Sequence, residues 1–399
     1  MEYSTLEQWQ GVSENGVIYT MGSVYDHFQG ISDPRKAKGK RYSLVNLLVL
    51  IFLAKICGQD TPVEIADWAK NHADKLMKLM KLKRNWMPHH NTYRRVFQDV
   101  ISEAEFKAMM ESYHQQEESG EVLGMDGKAL RGTRIPGQER SDYVLSIYDG
   151  QNQRVLAQET VEEKENEIVA APKVLERVNL AGKIITADAM HTQRAISAYI
   201  VEQHGDYLWP VKENQERLYQ DINHLFGPEQ PKPGFGKIQT DFQCAEKVNC
   251  GHGRIEKRTI RTSSMLNDYL DWPGVEQVYQ LERQFTWMRQ GQAYKTSHEI
   301  EVGITSLSRT KAPPEKVLAL RRQHWQIETG LHYRRDVTFH EDGTRSSIHA
   351  AGSILSIVHN LVLGLIKKAG FQNTAQGRRW FSGHIQEAFN LLISENSLS

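Results

Sequence analysis

The order of short apolar runs between residues 120 and 215 restricts the fold more than any other feature of this chain. "EVLGMDG", "DYVLSIYDG" and "QRVLAQETV" are strand-length runs separated by turn signals. "NEIVAAPKVLERVN" follows with helical spacing: Asn166 is placed to cap it, and Ile168, Ala171, Val174, Leu175 and Val178 share one face. "GKIITADAMHT" is a fourth strand ending in Asp188, "QRAISAYIVEQHG" a second helix and "DYLWPVKENQ" a fifth strand. The order β-β-β-α-β-α-β predicts an α/β fold built on a mixed sheet, a meander followed by crossovers that lay helices on both faces. In that topology the first and fourth strands lie side by side and parallel.

The flanking text differs. Residues 1–119 read as an all-helical domain with no strand pattern. "DPRKAKGKR" (residues 33–41) is a basic arm, either a phosphate-binding element or a solvated linker, and it leads into an apolar helix over residues 43–57. Thr61-Pro62 opens another helix with Ile65, Trp68 and Ala69 at i, i+3, i+4, and "SEAE" from Ser102 is a capping box. Such a domain serves DNA binding or assembly, or merely caps the rest. Residues 234–312 return to strand-rich text, as in "HGRIEKRTIRT" and "VEQVYQLERQF", and residues 313–399 are helical again. The expected domains are therefore 1–119, 120–233, 234–312 and 313–399.

Composition excludes little. A chain of 399 residues with 39% hydrophobic and 25% charged residues fits a soluble globular protein of more than one domain. Lys+Arg and Asp+Glu stand at 49 each, so net charge neither announces nor excludes a nucleic-acid partner. Three cysteines form no disulfide framework and suggest a reducing cytoplasm. The N-terminus lacks the pattern of a signal peptide, and "LVNLLVLIFLA" is too short to span a bilayer, so no membrane partner is expected.

Two acids stand out. Asp126 and Asp188 each follow an apolar strand and precede a small residue. Asp126-Gly127 also reads as a plain turn. On adjacent parallel strands, however, both acids reach the edge where open α/β sheets bind ligands. Carboxylates that close repel each other unless a divalent cation lies between them. A third carboxylate is offered by Glu328 in "RRQHWQIETGLHYRRDVTFHED". On an ideal helix Arg321, His324, Glu328 and Arg335 fall at roughly 0°, −60°, −20° and −40°, one narrow face. That mixture suits phosphate contact from Arg321 and Arg335 with metal contact from Glu328.

With these residues in view the chain resembles DDE-type insertion-sequence transposases, specifically the H-repeat-associated group. "GMDGKALRGT", "ITADAMHTQ", "DYLWPVKENQ", "HGRIEKR" and "HWQIETGLHYRRDVTFHED" look like that group's motifs, in its order, and the resemblance covers nearly the whole chain. It implies a ribonuclease H-like core with Asp126, Asp188 and Glu328 as catalytic, metal-binding triad. It implies two Mg2+ ions, with Mn2+ as a substitute, and double-stranded DNA of element ends and target as partner. A homodimer on DNA and a cytoplasmic, nucleoid-associated enzyme also follow. Cut-and-paste relatives carry a Tyr, Arg, Glu, Lys signature on the glutamate helix. Here Arg321, His324 and Arg335 occupy the Tyr, Arg and Lys places, and the departure at His324 leaves its role open. Lys128, Arg131, Lys212, Asn214, Gln215, Arg254, Arg321, His324 and Arg335 are the expected DNA contacts. A ribonuclease H-like nuclease that cuts without joining, and a domesticated inactive DNA-binding protein, are the competing functions.

Other groups have plainer readings. Cys244, Cys250 and His252 lack zinc-finger spacing and read as strand residues. His252, Arg254, Glu256 and Arg258 alternate on one strand face, either a salt-bridged surface or a DNA contact. Asp336, Glu341 and Asp342 are expected to pair with Arg334, Arg335 or Arg345. His191 either touches the site or starts a helix.

Overall fold

The structure, a computed structural model, describes residues 9–83, 86–133, 141–161, 166–227, 240–251, 253–290, 292–343 and 349–394. His252 and Arg345 lie outside the described residues. The chain divides into two units. The first comprises Met1–Ser119, Gly127–Glu165 and Glu328–Ser399, and the second Gly120–Asp126 and Asn166–Ile327.

The N-terminal part of the first unit opens with a hairpin, β1 (Gln10–Val12) and β2 (Ile18–Thr20), so the region is not wholly helical. These strands have only three residues each, too short for alternation to show in the sequence. Helices follow: α1 (Val24–Gln29), α2 (Leu44–Ile56), α3 (Pro62–Asn71), α4 (Ala73–Met80), α5 (His90–Arg95) and α6 (Glu103–Gln115). Local chemistry sets their starts. The Ser43 and Ser102 hydroxyls accept from the Asn46 and Glu105 amides, and Thr61 and Glu64 close a reciprocal capping box ahead of Pro62. The apolar α2 is a core helix: every residue from Leu47 to Ala54 is fully buried.

The remaining elements, in chain order, are β3 (Val122–Leu130), β4 (Asp142–Asp149), β5 (Arg154–Val161), α7 (Glu167–Leu175), β6 (Ile184–Ala187), α8 (Arg194–Glu202), β7 (Asp206–Val211) and α9 (Glu216–Phe226). They continue with β8 (Gln243–Gly251), β9 (Arg254–Ser263), β10 (Gln277–Arg289), β11 (Gln292–Thr305) and α10 (Pro314–Ile327), then α11 (His349–Lys368), α12 (Thr374–Gly383) and α13 (Ile385–Ile393). In the first unit the strands run β5-β4-β3, and α2 packs with α11, α12 and α13. Within α11, Ala351–Lys368 is long and apolar enough to cross a bilayer, yet 83% of it is buried inside the protein.

In the second unit the order is β3-β6-β7-β11-β10-β9-β8. β3 pairs parallel with β6 and β6 with β7, while β11 joins β7 antiparallel through Val302 opposite Val211. β4 pairs antiparallel with β5; the neighbour order β5-β4-β3-β6-β7, with β6 and β7 added parallel, is the ribonuclease H-like order, and the elements from β3 to β7 follow the expected β-β-β-α-β-α-β. The strand-rich segment is not a separate sheet, because β11 extends the core sheet beyond β7. Gly303 permits this junction: a side chain there would overlap the Trp209 carbonyl and the Tyr279 ring. α10 covers β6, β8 and β9, and Val317, Leu318 and Leu320 bury against Ile184, Leu208, Ile260 and Leu281. α10 ends at Ile327, and Glu328 is the next residue.

Candidate active site

Parallel pairing of β3 with β6 ends at Met125 opposite Ala187. Asp126 and Asp188 are the next residues on these neighbouring strands, whose axes lie ~4.8 Å apart. Asp126 does not end its strand as expected, since β3 runs on to Leu130; only the parallel pairing stops there. Asp188 leaves β6 into a 3-10 turn, Ala189–His191, without using its carboxylate as the cap.

That carboxylate has another partner. His324 of α10 brings Nε2 to 3.4 Å from Asp188 Oδ1, while its Nδ1 lies 3.3 Å from the Thr186 hydroxyl. The contact with His324 holds the Asp188 carboxyl below the ordinary carboxylate range, aided by the charges of Arg321 and Lys212. Asp188 itself is exposed. Asn214 and Gln215 secure the turn after it, donating to the carbonyls of Ala189 (2.8 Å) and Thr192 (2.9 Å). His191 is buried at the end of the turn, with Nε2 3.2 Å from a Glu167 oxygen.

Glu328 begins a different backbone. After Ile327 the α-helical hydrogen bonding gives way to two π-helical turns, Glu328–His332 and Arg334–Thr338. Such turns are rare and occur frequently at functional sites. Glu328 is half exposed, and His332 Nδ1 lies 3.7 Å from its Oε2. Burial lowers the pKa of His332, favouring the neutral imidazole that ligates metals. His332 was not anticipated from sequence; its i+4 spacing from Glu328 was the available signal.

The expected DNA contacts sort by burial. Arg131 (side chain 78% exposed) and the exposed Lys212 and Arg254 are accessible to a ligand. Lys128 is instead only 7% exposed and sits 2.5 Å from Asp336. Arg321 is buried on Glu301, with contacts of 2.7 and 3.1 Å. Arg335 is fully buried on Glu341. His324 is buried against Asp188, and the Asn214 and Gln215 amides are engaged by backbone. Lys128, Arg321 and Arg335 differ from the expectation for one physical reason. A buried guanidinium or ammonium needs a carboxylate, and the fold supplies one from a distant or unforeseen position. The helical wheel also loses its premise at Ile327, because 100° per residue does not hold in a π turn.

A cleft of about 480 Å³ lies on the second unit, lined by Arg254, Glu256, Arg258, Arg283, Arg321 and Trp325 among others. Arg258 pairs with Glu256 at 2.5 Å, and Arg254 lies 5.5 Å over Phe285. Arg321 Nη1 is buried there with no hydrogen-bond partner among the described residues. Cys244 and Cys250 are exposed free thiols on β8.

In the second unit Asp126 and Asp188 offer carboxylate oxygens, with Asp188 biased toward its charged form; in the first unit Glu328 offers a carboxylate and His332 a nitrogen. Each is a donor type that a divalent cation such as Mg2+ or Mn2+ accepts.

Comparison with known proteins follows the same lines. The family described as Transposase DDE domain matches residues 117–363, and the one described as DDE_Tnp_1-associated matches residues 25–114. "H repeat-associated putative transposase YhhI" of Escherichia coli K12 is 29% identical over 353 residues, covering 86% of this chain and 90% of that protein. "Putative transposase YncI" of E. coli O157:H7 is 29% identical over 352 residues, covering 86% and 87%. Among solved structures, a piggyBac transposase synaptic complex with hairpin DNA aligns with a TM-score of 0.43 at 10% identity, over 92% of this chain and 77% of that one.

Proposed function

The chain belongs to the transposase DDE domain family, a DNA-cleaving and DNA-transferring class that depends on divalent metal, and we propose that Asp126, Asp188 and Glu328 are its metal-holding carboxylates. The observation that carries the reading is the register of β3 on β6, which puts two acids side by side where their parallel pairing stops. Glu328 opens the π turn directly after α10, and His332 stands with it as a further donor. Two Mg2+ ions, when bound, would supply an activated nucleophile and stabilise the leaving 3′ oxygen of a phosphodiester.

The chain's own side chains do the rest. His324 orients the Asp188 carboxylate, and Asn214 and Gln215 hold the turn behind it. Arg131, Lys212 and Arg254 bind DNA phosphates. The exposed Arg254 at the arginine-lined cleft offers a backbone phosphate a contact. Cleavage exposes a 3′-hydroxyl that attacks the target strand. Joining two element ends to one target needs two such sites, which favours a homodimer on DNA. Three unpaired cysteines fit action in the cytoplasm.

The test is direct. Purified protein is incubated with duplex from the DNA flanking its gene, with Mg2+ or Mn2+, and the ends are mapped. Ends with a free 3′-hydroxyl together with joined products support transposition. Cut ends that are never joined favour the nuclease, and bound but uncut DNA favours the inactive binding protein.

A further inference from the structure

Lys55 of α2 is fully buried in the first unit. Its Nζ donates to the Asp60 carbonyl at 2.9 Å and lies 2.9 Å from Nε2 of His359 on α11. His359 Nδ1 lies 2.7 Å from Glu341 Oε2, and Glu341 receives Arg335 Nη2 at 2.6 Å and Nε at 3.0 Å. Asp60 in turn accepts from Arg378 of α12 at 2.6 Å, and Arg378 also donates to the Thr338 carbonyl. Its guanidinium lies 4.6 Å over Phe339, which stacks on His359 at 4.7 Å. One buried polar chain therefore runs from the N-terminal helices, through α11 and α12, to the segment after Glu328.

Its hydrogen bonds have a fixed direction. An ammonium can only donate, so His359 accepts at Nε2 and carries its proton on Nδ1, which donates to Glu341. Glu341 is then shared between His359 and Arg335 through charge-assisted bonds, and Arg335 Nη1 has no partner among the described residues. Burying this much charge is poor economy for stability alone, because apolar replacements of buried ion pairs are often as stable. Buried charge-assisted networks of this kind instead restrict the segments they join to one geometry. The geometry fixed here is that of the two π turns, and Lys128 holds the same segment from another side through Asp336.

We propose that Lys55, His359 and Glu341 are positioning residues that act through Arg335 to hold the π-helical segment beginning at Glu328, and so set the placement of that carboxylate. The N-terminal helices are then part of the catalytic scaffold and not only a module attached to it. The inference rests on the reading of Glu328 as a metal-holding residue.

The test uses full-length Lys55→Met, Glu341→Gln and Arg335→Lys, with Glu328→Gln as reference, on the element-end duplex with Mn2+. Lys55→Met and Glu341→Gln are expected to cut at least about tenfold more slowly at saturating DNA, ~1.4 kcal/mol of barrier. Their KM for duplex stays unchanged. Their Mn2+ affinity, read separately by electron paramagnetic resonance, falls several-fold. Arg335→Lys retains most of kcat because it keeps the charge on Glu341. Circular dichroism establishes folding, and if Glu341→Gln does not fold, the volume-matched Lys55→Met decides. Wild-type kcat and Mn2+ affinity in folded Lys55→Met, whatever its melting temperature, would overturn the proposal. Normal cutting by Glu328→Gln would instead remove the reading of Glu328 itself, so the two failures are distinguishable.

Discussion

His324 Nε2 stands 3.4 Å from Asp188 Oδ1, so α10 orients the acid at the end of β6 before it runs into Glu328. His324→Phe keeps the buried volume and removes that contact. Cleavage is expected to fall by about ten- to a hundredfold, as for other residues that orient metal ligands. The contact lowers the Asp188 pKa, so without it the carboxylate protonates at higher pH. The acid limb of the pH–rate profile should therefore move to higher pH. An unmoved limb would show that His324 does not govern Asp188.

The basic arm gives a second prediction. Lys36, Lys38, Lys40 and Arg41 are all exposed, although Lys40 donates to the Asp33 carbonyl and Arg41 lies 5.7 Å over Trp86. Replacing Lys36 and Lys38 with Gln should flatten the salt dependence of DNA binding by up to ~0.9 per lost phosphate contact. Binding titrations across salt concentrations check this, and an unchanged slope returns the arm to a solvated linker.

Arg131 and Arg335 should behave in opposite ways. Arg335→Ala leaves Glu341 buried without its main counter-charge and should cost about 3–5 kcal/mol in urea unfolding. Arg131→Ala, at an exposed position, should leave unfolding within about 0.5 kcal/mol of wild type and reduce the salt slope of DNA binding.

The buried chain also sets a pH dependence of stability. Burial pushes Lys55 down to about 8 and His359 down to about 3. Between pH 8 and the ordinary 10.5 of lysine the unfolded chain binds the extra proton, so stability from Lys55 rises with pH there. For His359 the unfolded chain again binds more protons between pH 3 and 6.5, so stability is lost as pH falls through that window. The stability of wild type relative to Lys55→Met should therefore rise as pH climbs from 8 toward 10.5, read from melting curves of both. Parallel curves would place the Lys55 amine outside this account.

What the sequence reveals depends on how local each cause is. The strands from β3 to β7, the Asn166 cap and the Thr61–Glu64 capping box are legible because their determinants lie within a few residues. The parallel pairing of β3 with β6, which ends at Met125 opposite Ala187, one residue before each acid, follows from topology once the strand order is read. The partners of Arg321 and Lys128 are not legible. Glu301 and Asp336 reach them through sheet pairing and tertiary packing, and an exposed arginine looks like a buried one in sequence. The face shared by Arg321, Glu328 and Arg335 assumed one continuous α-helix, and the π turns after Ile327 remove that assumption. His332 is not legible either, because a histidine four residues after an acid has many ordinary explanations.

The central claim is that Asp126, Asp188 and Glu328 hold the metal that cuts DNA. The most direct measurement pairs Mn2+ binding with cleavage of the element-end duplex for Asp126→Asn, Asp188→Asn and Glu328→Gln, each first shown to fold. Every variant is expected to lose at least about a hundredfold in cleavage rate, ~2.7 kcal/mol of barrier, and to bind Mn2+ more weakly while still binding DNA. A folded variant that cuts at the wild-type rate with unchanged Mn2+ affinity would contradict the claim for that residue.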